Sequence, residues 1–120
     1  MKTQRPTITE RAADRTCPEC GGPAERRSAR GPVPTFCSQD CRKAHGNRHM
    51  VEGRAVIAFL KAWRIDRGGG EIAKGSLAEV CAIVDSFNTA DREAGRPRAD
   101  LYAAKLLAGD TRYMDRQKRR

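Results

Sequence analysis

Large apolar side chains are scarce in this sequence. Leu, Ile, Val and Phe supply 18 of its 120 residues, about 15%, while 17 of the residues counted as hydrophobic are alanines. That share lies under the roughly 20% below which highly charged chains tend to be disordered, so side-chain burial alone is not expected to fold the chain. Aromatics are fewer still, with one Trp, two Tyr and three Phe, which argues against a stacking platform for single-stranded nucleic acid. No apolar run approaches the about 18 residues of a membrane helix. Residues 1–15 also lack the apolar segment of a secretory signal. The expectation is a cytoplasmic protein with no membrane partner. Acids are outnumbered as well, 15 against 24 Lys and Arg, giving a formal charge of +9. A surface of that sign draws polyanions, nucleic acid first among them.

What the sequence does contain is a set of thiols at metal-binding spacing. Cys17 and Cys20 are separated by two residues, Cys37 and Cys41 by three, and sixteen residues lie between the pairs. Zn2+ takes four such ligands in a tetrahedron, each thiolate at about 2.3 Å, so each pair must come from one tight turn. Pro18 stiffens the first turn and Gly21-Gly22 lets the backbone curl back toward the sulfur, as a zinc knuckle requires. Five cysteines, an odd number with four at metal spacing, argue for reduced thiols and against a disulfide framework. Iron in a four-thiolate site is the minority alternative. A structural metal would compensate for the thin core, since binding to such sites is worth about 10–16 kcal/mol of apparent folding free energy near neutral pH. The four thiolates and the ion would also bring the net charge to about +7.

Along the chain, residues 1–16 are polar with little periodicity and read as a mobile basic arm. The loop from Ala24 to Phe36 holds a turn cluster, Arg30-Gly31-Pro32, between short stretches that suit a hairpin, with strands 23–28 and 33–37. Ser38 is a helix N-cap with Asp40 in the first turn. From there Val51, Ala55, Phe59 and Trp63 recur at helical spacing to about Asp66, with Gly46 and Gly53 as possible sites of a bend. Gly68-Gly69-Gly70 ends this element. Ser76 followed by Glu79 reads as the capping box of a second helix, with Leu77, Val80, Cys81, Val84 and Phe87 on one face until Gly95 and Pro97 stop it. A third segment covers residues 99–108, and 109–120 form a basic tail. The two long helices are expected to pair antiparallel, Phe59 and Trp63 against Val80 and Val84. The units are then 1–16, a finger with a long helix at 17–67, C-terminal helices at 71–108, and the tail.

The run Phe36-Cys37-Ser38-Gln39-Asp40-Cys41-Arg42, preceded by Cys17-Pro18-Glu19-Cys20-Gly21, resembles treble-clef zinc fingers of the FCS type. Over residues 17–42 it is similar to the small bacterial zinc-finger proteins that inhibit DNA gyrase. The resemblance implies that Cys17, Cys20, Cys37 and Cys41 are zinc ligands. Those inhibitors continue with an acidic Asp-Leu-Gly-x-Trp segment where this chain has the basic Lys43–His49. Downstream His49 also resembles part of MYND-type fingers, although no cysteine completes a second site. The remainder is similar to short bacterial zinc-finger proteins of no assigned activity that share an Asn-Arg step after the finger. The expected architecture is a small metal-bound α+β domain: a treble clef of knuckle, β-hairpin and helix, followed by a helical C-terminal part.

The functional reading is a non-enzymatic, zinc-binding protein that binds DNA through a basic face, as a small regulator. Arg26, Arg27 and Arg30 from the hairpin and Arg42, Lys43 and Arg48 from the helix are the candidate phosphate contacts. The alternative is a protein-interaction module or inhibitor acting on a nucleic-acid enzyme such as a topoisomerase or polymerase. No nucleophile, base and electrophile come together as a catalytic set, and no small-molecule substrate is evident. Four protein thiolates would leave the zinc no open position for a substrate. His45 and His49, four residues apart on one helical face, lack a third ligand and read as solvated or capping side chains, and Cys81 reads as a core thiol.

Overall fold

A computed structural model of the chain describes residues 4–26, 28–31 and 33–109. They form four helices: α1 (Ile8–Ala12), α2 (Gln39–Ile65), α3 (Glu71–Glu93) and α4 (Ala99–Ala108). Among the described residues there is no strand or sheet, only an isolated bridge between Thr16 and Pro23. The expected α+β treble clef is therefore incorrect, because its hairpin at 23–28 and 33–37 does not form. One reason is local competition: the Ala24 amide donates to Arg15 O at 2.8 Å, across the base of the knuckle, and is not available to a strand at 33–37. Another is Pro34, which cannot donate to a ladder. The loop instead makes a turn in which Gly31 N donates to Ser28 O at 3.3 Å.

The segment expected to be an arm contains α1. Thr7 Oγ1 accepts from Glu10 N at 3.1 Å and Glu10 Oε2 accepts from Thr7 N at 3.2 Å, a reciprocal cap that nucleates this short helix. α1 lies on α4. Arg11 donates to Asp100 Oδ1 from Nε and Nη2 at 3.3 and 3.2 Å, and Lys105 Nζ donates to Ala12 O at 3.0 Å.

α2 begins where Ser38 Oγ accepts from Cys41 N at 3.2 Å, as the sequence implied. It runs unbroken through Gly46 and Gly53. The N-cap of α3 lies six residues before the predicted one: Gly70 is the N-cap and Ser76 is a buried residue within the helix. Gly70 adopts φ +84°, where a side chain would be strained and a Cβ would lie 2.6 Å from Asp66 Oδ2. This glycine reverses the chain between α2 and α3 so tightly that Glu71 is already helical. Ser76 is thus a small residue buried inside the helix and not its cap. α3 ends in a Schellman motif at Gly95, with Gly95 N donating to Arg92 O at 3.1 Å and Arg96 N to Asp91 O at 2.9 Å.

α2 and α3 pack as an antiparallel hairpin, with Phe59, Trp63, Val80 and Val84 all half-buried. The fully enclosed core lies elsewhere. Cys17 and Leu101 are 0% exposed, and His45, Ala24 and Ala104 are also buried. These residues belong to the knuckle, the start of α2 and α4, so the C-terminal helix closes over the cysteine end of the molecule.

Candidate metal centre

Cys17 and Cys20 flank a tight turn. The Cys17 amide donates to Gly22 O at 2.8 Å, Gly21 N donates to Cys17 O at 3.0 Å, and Gly22 N approaches Cys20 Sγ at 3.4 Å. Gly21 sits at φ +79°, the left-handed region that glycine enters without a Cβ penalty. Cys37 precedes the Ser38 cap and Cys41 occupies the first turn of α2, so helix initiation itself sets their separation. The four Sγ atoms lie within 4.8 Å of one another, with Cys37 Sγ 3.5 Å from both Cys20 Sγ and Cys41 Sγ. A tetrahedron with metal–sulfur bonds of about 2.3 Å has edges of about 3.8 Å. The cluster therefore has the dimensions of a single-ion site, and the four residues fit a metal that favours thiolates.

Without an ion, the thiols titrate unequally. Burial pushes Cys17 up, but amides of Cys20, Cys37 and Glu19 aimed at its sulfur bring it down to about 7. Cys37 is pushed up to about 12 by sharing hydrogen bonds with Cys20 and Cys41, whose neighbouring sulfurs oppose a second negative charge. A cation at the centre removes that opposition, because it requires all four as thiolates.

The knuckle is tied to the rest of the molecule by charges and rings. Arg48 of α2 forms a two-pronged ion pair with Glu19, Nη1 to Oε2 at 2.9 Å and Nη2 to Oε1. Arg48 Nε is buried without a hydrogen bond and faces Asp91 Oδ1 of α3 at 3.9 Å. Arg96 Nε donates to the same Asp91 oxygen at 2.8 Å. Phe36, His45, His49 and Tyr102 cluster as tilted and edge-on rings, with Phe36 to His45 at 5.0 Å and His45 to Tyr102 at 4.6 Å between ring centres. His45 is a core ring, and burial lowers its pKa to about 4.

The six predicted phosphate contacts fall into separate environments. Arg26, Arg30, Arg42 and Lys43 are exposed and form no ion pair with any described residue. The Arg42 guanidinium lies 5.9 Å from the Phe36 ring centre. Arg48 is withdrawn into the Glu19 and Asp91 network, and Arg27 lies outside the described residues, as does the tail from 110 to 120. Cys81, expected in the core, is exposed on α3. Sequence reasoning missed the partners Glu19, Asp91, Arg96 and Tyr102. The available signal was Glu19, an acid placed between two knuckle cysteines in a basic chain. No helix among the described residues is long and apolar enough to cross a membrane. Comparison with protein-family models, curated proteins and solved structures gives no match to this chain.

Proposed function

We propose that Cys17, Cys20, Cys37 and Cys41 hold a structural zinc ion and that the chain is a non-enzymatic binding protein whose metal-bound end engages duplex DNA. The observation that carries the metal reading is the cluster of four sulfurs within 4.8 Å of one another. Four protein thiolates satisfy tetrahedral zinc and leave no position for substrate, so the ion's role is to fold the knuckle onto α2. The partner reading rests on charge. The chain carries a formal +9, and Arg26, Arg30, Arg42 and Lys43 stay free of ion pairs with described residues while Arg11, Arg48, Arg96 and Arg98 are paired. Free cations spread along the loop and the first two turns of α2 suit contact with a phosphate backbone, which positions a protein without specifying sequence.

Native mass spectrometry with and without chelator, followed by duplex binding at about 50 and about 200 mM salt, tests both halves. One zinc per chain and affinity falling steeply with salt are expected. Changing Arg42 and Lys43 together to Ala should flatten the salt dependence by about two phosphate contacts. A zinc-loaded protein whose duplex affinity ignores salt, or that binds no duplex, contradicts the DNA reading. A protein without zinc contradicts the metal reading.

A further inference from the structure

The α2–α3 hairpin leaves one side of α2 without a partner among the described residues. Gly46, Met50, Gly53, Ile57 and Leu60 follow at alternating steps of four and three residues, the spacing of a helix seam that another helix covers. Met50 is 58% exposed, Ile57 50% and Leu60 38%. The two glycines sharpen the point. Glycine is the least favourable residue other than proline in a helix interior, and at both positions, the helix's own backbone aside, no described residue lies within 4 Å of where a Cβ would stand. No contact with another described element requires them, whereas a helix crossing this seam from outside would gain close approach. The apolar surface continues to α3 through Trp63, which lines one cleft with Ile57 and Leu60 and another with Leu77.

Charge identifies what covers the seam. α2 carries six bases and two acids, net +4, and α3 carries five acids and two bases, net −3. Although the two helices lie side by side, the one ion pair between them is Arg48 with Asp91. Arg54, Lys61 and Arg64 of α2, and Glu71, Glu79 and Asp85 of α3, form no ion pair with any described residue. The complementarity is present but unused among the described residues of one chain. An anionic bilayer would accept the bases and repel α3. A second copy of the hairpin satisfies both.

We propose that this face pairs with the same face of a second copy of the chain, α2 of each against α3 of the other, to make an antiparallel four-helix bundle about a two-fold axis. Isologous pairing of this kind is closed, so assembly stops at the dimer. Each dimer would present two metal-bound ends, a geometry that does not depend on what those ends bind.

Sedimentation equilibrium of the full, zinc-loaded chain at about 0.1 mM, where even a ~10 µM dimer is populated, tests this. Wild type is expected at twice the 13.3 kDa of one chain, with association weakening as salt is raised. Gly53→Gln introduces a good helix former where this chain has room, so it should keep its helical circular dichroism yet raise the dissociation constant at least tenfold. Ile57→Gln with Leu60→Gln should do the same. A wild-type monomer at this concentration overturns the proposal, as does a dimer whose affinity neither substitution changes. Monomer that co-sediments with vesicles containing phosphatidylserine would show that the face serves a membrane and would equally overturn it.

Discussion

The two ends of this molecule keep their order by different means. At the cysteine end, Leu101 and Cys17 are fully buried, Arg48 is held by Glu19, and Lys105 reaches back to the carbonyl of Ala12. In the α2–α3 hairpin, beyond His45 at its cysteine end, the buried residues are the small Ala73 and Ser76, neither fully enclosed, while Ile57, Ile65 and Ile72 are exposed. The first region has few large apolar residues and supplements them with ion pairs, tilted and edge-on ring contacts and a metal-sized thiol cluster. The second has more apolar side chains and turns many of them outward. A chain poor in Leu, Ile, Val and Phe thus concentrates its specific contacts where the cysteines converge.

The sharpest way to break this contrast is to remove a ligand. Cys17→Ser is expected to cost most of the metal's contribution to folding, which for such sites is about 10–16 kcal/mol in total near neutral pH. Thermal denaturation and metal competition should both show the loss, with zinc affinity and cooperative melting of the cysteine end falling together. Next comes the core. Leu101→Ala should lower stability by about 2–5 kcal/mol, whereas Ile65→Ala, at a position 85% exposed, should stay within about 0.5 kcal/mol. Comparable losses in denaturant titrations would contradict the contrast.

His45 gives a smaller, pH-dependent effect. Burial depresses its pKa from the ordinary 6.5 to about 4, so the unfolded chain takes up a proton first as pH falls. The stability associated with the neutral buried ring is complete above about pH 6.5 and is lost progressively toward pH 4, at a slope of at most about 1.4 kcal/mol per pH unit. His45→Phe should remove that component while leaving the ligand-dependent acid sensitivity, which denaturation at several pH values can separate.

The smallest effects concern glycines, and they have opposite signs in the two regions. Gly21→Ala forces a side chain into the left-handed region at the knuckle and should cost about 1–2 kcal/mol. Gly53→Ala, in open space on α2, should stabilise the dilute protein by about 1 kcal/mol. Equal signs in chemical denaturation would mean that the knuckle turn and the helix seam are not distinguished as described.

Much of this was legible in the residues, and unevenly so. The convergence of the four cysteines followed from spacing, because Cys-x2-Cys and Cys-x3-Cys each encode their own turn and Ser38 encodes the helix start. The ends of α2 and α4 followed from glycines and caps. The absent hairpin is suggested by the turn cluster Arg30-Gly31-Pro32, although Pro23–Ser28 holds no β-branched or aromatic residue to favour a strand, and nothing local reveals that Ala24 bonds across the knuckle to Arg15. The start of α3 was misplaced because Ser76 and Glu79 match a capping box, while Gly70 at positive φ begins the helix without a side-chain cap. Arg48 looked like a free cation because its partners Glu19 and Asp91 are 29 and 43 positions away in the chain.

Hydrogen exchange on the metal-loaded and chelator-treated protein tests the central claim most directly. Loss of the ion should expose the amides of Cys17, Gly21 and Ala24, and then those of α4, to rapid exchange together. Unchanged protection at these amides after complete metal removal would show that the four cysteines meet for another reason.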